Sequence, residues 1–236
     1  MFRRCNIFSR LAGYHAGGMV RSLLILILRI YMRLYHHLEL QGAENLPPHG
    51  PALVLLNHAS LLDVPALMVL DPYPNTVTVA KASLFRIPVV GWLLGQWGGI
   101  PVERQGRDSA GVRALLGALK AGSVVAVAAE GRRTRTGRMS PINPVLARLA
   151  ASVDVPLIPV GMIGSYTALP PGAILPRRRK IVVRVGEPFR LERSTPADVA
   201  AQRIGERIAA LLPPEQQPLP PSSSTESTQS PSRAGR

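Results

Sequence analysis

Fully apolar runs of strand length recur along this chain, and each gives way to a segment of helical spacing. "ALVLLN" begins at Ala52, "VVAVAA" at Val124 and "VPLIPVGMIG" at Val155. A strand without a polar face must be covered on both sides. The alternation therefore predicts an α/β fold, a mostly parallel central sheet flanked by helices. "TVTVAK" from Thr76, "GIPVER" from Gly99 and "KIVVRVGEPF" from Lys180 read as further strands. "LLDVPALMVL", "VVGWLLGQWG", "DSAGVRALLGALKAG" and "NPVLARLAASVD" read as helices between them. The last helix lies in "STPADVAAQRIGERIAALL", with Thr195 as its cap and Pro196 at its first position.

A chain of 236 residues is long enough for one main core. The last stretch, "PPEQQPLPPSSSTESTQSPSRAGR", has the composition of a disordered tail, residues 213–236. Before the alternating pattern, "MVRSLLILILRIYMRLYHH" is well short of the ~20 apolar residues a spanning helix needs. At about 100° per residue, Arg21, Arg29 and Arg33 share one arc, opposite Leu23, Ile27, Ile30 and Leu34. Residues 1–37 thus read as a membrane-associating helical segment with an amphipathic interface helix, its arginines on anionic lipid. Two other readings are a signal peptide, which lacks a small-residue cleavage site here, and a plain core helix. His36 and His37, at its end, read as interfacial or structural.

The formal charge of +14 calls for an anionic partner. Aromatic residues make up only 5%, without the basic–aromatic interleaving of single-strand readers, and no nucleic acid is expected. The mean hydropathy of +0.14 favours a membrane surface. The single cysteine, Cys5, forms no intrachain disulfide and fits a reducing compartment. No paired Cys/His spacing suggests a metal.

Ligands of open α/β sheets sit at the carboxyl ends of strands. Polar residues follow apolar strands at Asn57-His58, at Lys81 and at Glu130-Gly131-Arg132-Arg133. His58 and Asp63 would lie about 140° apart on one helix, so they meet only if the chain turns between them. Such a pair can act as a general base, the carboxylate fixing the tautomer while the other ring nitrogen takes a proton. The same residues also fit a helix cap, since "SLLD" is a capping-box pattern with Ser60 as N-cap and Asp63 closing the box. Ser60 has no nucleophile-elbow motif around it.

"NHASLLD" resembles the N-H-x-x-x-x-D signature of the glycerolipid acyltransferases, the 1-acyl-glycerol-3-phosphate acyltransferase family. "KASLFRIPVVGWLLGQWGGIPVER" resembles the family's second block, "VVAVAAEGRRTRTGRM" its third and "VPLIPVGMIG" its fourth, in order. The resemblance implies an acyltransferase domain over residues 38–212. It implies transfer of a fatty acyl group from acyl carrier protein or coenzyme A, as co-substrate with no bound cofactor, to the free hydroxyl of lysophosphatidic acid. Glycerol-3-phosphate, a lyso-ornithine lipid or another lysolipid is the alternative acceptor. His58 would be the base and Asp63 its orienting partner. Glu130, Gly131 and Arg133 fall on the acceptor-site block, and Lys81 and Arg104 on the basic positions of the second block.

This chain departs from the family with Ala128 and Ala129 where Phe and Pro are usual, and Arg132 where Thr is usual. Arg132, Arg133, Arg135 and Arg138 read as a phosphate cradle or a solvated face. "PRRRK" from Pro176 reads as a second lipid contact or a solvated loop, and Trp92 and Trp97 as interface or core residues. The expected location is the cytoplasmic face of the cell membrane, peripheral or monotopic. The reading from a different class is a non-catalytic basic membrane- or nucleic-acid-binding protein, against which the intact His58–Asp63 pair argues.

Overall fold

A computed structural model describes residues 17–47, 50–70, 76–96, 99–103 and 109–219. Arg104 and Trp97 lie outside the described residues. The strands are β1 (Glu39–Gln41), β2 (Ala52–Leu56), β3 (Thr76–Lys81), β4 (Gly99–Val102), β5 (Val124–Ala128), β6 (Leu157–Ile163) and β7 (Val182–Val185). They form one sheet in the order β1-β7-β6-β2-β5-β3-β4. Every neighbouring pair is parallel except β6 and β7. The expected mostly parallel α/β sheet is therefore what forms.

The helices are α1 (Gly17–Tyr35), α2 (Asp63–Leu70), α3 (Pro88–Gln96), α4 (Ser109–Lys120), α5 (Pro144–Ser152), α6 (Ser165–Ala168) and α7 (Ala197–Ala209). Alternate residues of the central strands feed two cores. Leu53, Leu55, Val125, Val127 and Leu157 pack with residues of α4, α5 and α7 on one face. Ala52, Val54, Leu56, Ala126, Ile158 and Val160 pack with Met32 of α1 and residues of α2 on the other. All five residues of β2 are buried, which explains why its sequence has no polar face.

Three expectations need correction. α7 begins at Ala197, with Pro196 extended (ψ 148°) in the cap position and no side-chain cap bond. Thr195 instead donates its N–H to Glu192 O in a preceding turn. Packing also continues beyond Leu212, where the tail was expected to start. Met139 N–H donates to Gln216 O, and Arg138 Nη1 donates to Pro214 O and Gln217 O, so residues 213–217 strap the third block.

The third correction concerns α1. Part of its arginine side turns to the protein: Arg29 Nε donates to Val69 O at 3.0 Å and Met32 is fully buried, while Arg33 stays exposed. Arg29 is thereby committed to a helix carbonyl rather than to lipid. The opposite stripe, Leu23, Ile27, Ile30 and Leu34, is exposed, with Leu26 beside it. No described helix is long and apolar enough to cross a membrane.

Candidate active site

β2 ends where its apolar run does, and Asn57 anchors that end. Asn57 Nδ2 donates to Met162 O, and Met162 N–H donates to Asn57 Oδ1 at 2.6 Å. This two-point clamp ties the end of β2 to β6. His58 follows, its own backbone held from the third block: His58 N–H donates to Glu130 Oε1 at 2.8 Å, and Thr134 N–H donates to His58 O.

The chain then turns sharply into α2, and Asp63 gathers that turn. Its Oδ2 accepts from His58 Nδ1 at 2.9 Å, from Ala59 N–H at 2.7 Å and from Ser60 N–H at 2.8 Å. Asp63 is fully buried, while 14% of the His58 side chain remains exposed. Because the carboxylate only accepts, Nδ1 carries a proton, and Nε2 is left with a lone pair. Nε2 makes no hydrogen bond among the described residues. An imidazole held this way can take a proton at Nε2 while the carboxylate stabilises the resulting cation.

The capping and base readings of "SLLD" turn out to describe the same atoms. Asp63 caps the backbone of Ala59 and Ser60 and orients His58 with one oxygen. Ser60, fully buried, donates from Oγ to Leu169 O at 2.8 Å and accepts from Leu62 N–H at 3.2 Å. Both partners hold its hydroxyl in a structural role.

Glu130 lies one strand away, after β5, which pairs in register with β2. Its Oε1 accepts from His58 N–H and its Oε2 from Ser140 N–H, both at 2.8 Å. Burial pushes its carboxyl above the ordinary carboxylate range, partly offset by these backbone bonds. Both oxygens are thus engaged in bridging His58 to the far end of the arginine loop. Gly131 turns the chain at φ +71°, and a Cβ there would meet Asn143 Nδ2 at 2.8 Å, so only glycine fits.

Arg133 follows on this loop, half-buried, with Arg132 and Arg135 exposed. Tyr166 OH donates to Arg135 O, fixing the loop from α6. Arg138 is taken up by the strap, donating to Pro214 O and Gln217 O. Lys81 ends β3, the strand paired with β5, and is exposed at the same sheet edge. Trp92 is half exposed on α3.

Sequence reasoning missed the supporting partners. Gln216, nearly buried, reaches Gly164 N–H and Met162 O through long contacts of 3.4 Å. It sits in a Pro- and Gln-rich stretch that carries no local signal of packing.

A family model described as Acyltransferase matches residues 37–163, more than half of the chain. The chain belongs to the acyltransferase family. Relatives include the chloroplastic 1-acyl-sn-glycerol-3-phosphate acyltransferase BAT2 of Brassica napus, 30% identical over 142 residues, 59% of this chain. The 1-acyl-sn-glycerol-3-phosphate acyltransferase of Bacillus subtilis is 26% identical over 185 residues, covering 78% of this chain and 87% of its own. The chain spans only about two fifths of the length of the first plant relatives, 41% and 39%. In fold, it is similar to the crystal structure of the 1-acyl-sn-glycerophosphate acyltransferase PlsC from Thermotoga maritima. The TM-score is 0.69 at 22% identity, over 84% of this chain and 82% of that one.

Proposed function

We propose that this acyltransferase-family chain moves a fatty acyl group from a thioester, acyl-ACP or acyl-CoA, to the free hydroxyl of lysophosphatidic acid, giving phosphatidic acid. The observation that carries this reading is the His58–Asp63 pair at 2.9 Å, with Nε2 unpartnered among the described residues at the carboxyl end of β2 and the arginine loop beside it. The names of the relatives, 1-acyl-sn-glycerol-3-phosphate acyltransferases, support lysophosphatidic acid as the acceptor.

In this reading, Nε2 of His58 takes the proton from the acceptor hydroxyl as its oxygen attacks the thioester carbonyl carbon. The tetrahedral intermediate collapses by breaking the C–S bond, and the imidazolium returns the proton to the departing thiolate. Asp63 holds the tautomer and balances the transient charge. Arg133 binds the acceptor phosphate through its guanidinium fork. Lys81 adds positive charge at the same edge, and Arg104 takes a similar role by its place in the second block. Glu130 and Gly131 shape the loop that presents Arg133. No bound cofactor or metal takes part.

The catalytic unit in this reading extends from residue 38 through the strap to residue 217. The exposed stripe of α1 lies in the acyl region of an anionic membrane, on the cytoplasmic face, with the chain peripheral or monotopic.

The test uses purified protein in detergent, labelled acyl-CoA or acyl-ACP, and lysophosphatidic acid. Wild type is expected to form phosphatidic acid. His58→Ala is expected to lose about 10²–10⁴-fold in kcat while still folded. Ser60→Ala, which removes a hydroxyl with only structural partners, is expected to keep most of the turnover. A His58→Ala protein as active as wild type would end the general-base reading. Wild type inactive on every lysolipid would favour the non-catalytic binder.

A further inference from the structure

The loop between α6 and β7 reads "LPPGAILPRRRKI" from Leu169. At its tip, Ile174 is 91% exposed and Leu175 79%, the two most exposed large hydrophobic residues among those described. Single exposed aliphatic residues are ordinary on protein surfaces, but an adjacent, nearly fully solvated pair is not. Arg177, Arg178 and Arg179 follow after Pro176, all exposed. Lys180 is engaged elsewhere, in an ion pair with Glu39 at 2.6 Å.

The loop is firmly held at its base. Arg177 N–H donates to Ala168 O at 2.7 Å, and Ala173 N–H donates to Pro170 O. Tyr35 OH donates to Pro176 O at 3.0 Å, His36 Nδ1 donates to Arg179 O, and Arg178 Nη2 donates to His37 Nε2. Ile181 N–H donates to His36 O. Pro170, Pro171 and Pro176 restrict the backbone further. The tip is therefore presented from a firmly held base, which lowers the entropy cost of ordering it on binding.

These bonds also fasten the loop to the carboxyl end of α1, where the exposed stripe finishes at Leu34, next to Tyr35. Two aliphatic side chains ahead of three guanidinium groups match the layering of an anionic bilayer, acyl chains beneath phosphates. We infer that Ile174 and Leu175 insert into the acyl region of an anionic bilayer while Arg177, Arg178 and Arg179 bind headgroup phosphates, a second anchor beside α1. This rests on the membrane reading of α1 but makes a separate claim about a separate loop.

The anchor has a direct connection to the chemistry. Its first residue, Leu169, accepts the Ser60 hydroxyl through its carbonyl, at the turn that carries His58 into α2. The loop that enters the lipid therefore begins against the turn that shapes the catalytic pair. Anchoring at two points fixes the tilt of the site to the bilayer plane more firmly than the α1 stripe alone.

The single cysteine makes the test clean. In a full-length Cys5→Ser background, Leu175→Cys is labelled with an environment-sensitive nitrobenzoxadiazole probe. Val145→Cys, an exposed position on α5 outside the site, is labelled as the control. Both are mixed with vesicles of phosphatidylcholine alone, or of phosphatidylcholine and phosphatidylglycerol in equal parts. The probe at position 175 is expected to brighten, shift to the blue and be quenched by acyl-chain doxyl groups on the anionic vesicles, while the probe at 145 stays in water.

Vesicle sedimentation gives the energetic counterpart. The double variant Ile174→Asp/Leu175→Asp is expected to lose on the order of a hundredfold in vesicle affinity. The triple variant Arg177→Ala/Arg178→Ala/Arg179→Ala is expected to lose roughly a hundredfold at low salt and much less at high salt. Because these side chains are exposed, the thermal midpoints should stay close to wild type, the triple variant giving up only the exposed Arg178–His37 bond. If wild type sediments with anionic vesicles but the 175 probe stays in water and the double variant binds equally well, the second anchor is wrong and the α1 reading survives. If wild type itself ignores anionic vesicles, the membrane reading fails and this anchor falls with it.

Discussion

His58 and His36 are both hydrogen-bonded through Nδ1, yet their surroundings suit them to opposite tasks. His58 Nδ1 faces the Asp63 carboxylate, its side chain keeps 14% exposure, and Nε2 is open. His36 has no exposed surface. Its Nδ1 meets Arg179 O, which only accepts, so Nδ1 carries the proton and Nε2 accepts from Tyr31 OH at 3.2 Å. The rings of Tyr31 and Tyr35 stand edge-on against it. Both nitrogens are spent and no counter-charge waits behind either. A histidine becomes a base by having a carboxylate behind one nitrogen and space before the other, and burial alone makes it a strut.

The largest expected effect comes from removing the charge behind His58 without removing the shape. In Asp63→Asn, the amide oxygen can still accept from Ala59 and Ser60, so the turn into α2 should form. The imidazolium loses its counter-charge, and kcat is expected to fall by about 10²–10⁴-fold with KM little changed. Steady-state kinetics alongside a thermal midpoint checks this. A kcat within about tenfold of wild type would mean that His58 needs no carboxylate, and the comparison with His36 would lose its point.

Next is Glu130→Gln, which tests the bridge from His58 to the arginine loop. The amide keeps one acceptor and turns an NH₂ toward a second backbone N–H, either that of His58 or that of Ser140. The unmade bond is expected to cost about 1–3 kcal/mol. The pH dependence adds a sign. Burial raises the Glu130 carboxyl above its ordinary value of 4.5, so the folded chain holds that proton more tightly than the unfolded chain. Its contribution is complete below the ordinary value and is lost as pH rises through the raised one. Glu130→Gln should therefore flatten that stretch of a plot of unfolding midpoint against pH. An unchanged slope there would show that burial does not weigh on Glu130.

Parts of this comparison are legible in the sequence, and parts depend on tertiary packing. The apolar runs of β2, β5 and β6 announce a two-sided sheet, and His58, Glu130 and Lys81 at strand ends announce one edge. That β2, β5 and β3 are immediate neighbours is a matter of crossovers and register, which no local pattern encodes. The roles of Asp63 were legible as two competing readings because capping and orienting demand the same residue at the same spacing. Glu130 reads as an acceptor contact because its block does, and only the fold shows both oxygens taken by backbone N–H groups. The inward turn of Arg29 was hidden for a similar reason: the helical wheel gives the two faces of α1 but not which one meets α2.

The smallest effect on catalysis is expected from His36→Phe. Phenylalanine fills much the same space against the tyrosine pair but leaves Tyr31 OH and Arg179 O without that partner, at about 1–3 kcal/mol of stability near neutral pH. Burial holds His36 below its ordinary value of 6.5, outweighing the carbonyl bond from Arg179. The unfolded chain thus takes up this proton more readily than the folded one. The contribution of His36 is present above the ordinary value and lost as pH falls through the lowered one, opposite in direction to Glu130. The gap in unfolding midpoint between wild type and His36→Phe should narrow from about pH 8 to about pH 5, since only wild type loses stability by protonating this ring. Turnover per folded molecule, assayed in detergent, should stay within about twofold, because neither His36 nitrogen reaches the sheet edge where the general-base reading puts the acceptor hydroxyl. A fall in kcat like that of Asp63→Asn would mean that the strut and the base are one coupled system, through the loop from Leu169 to Arg179 that touches both.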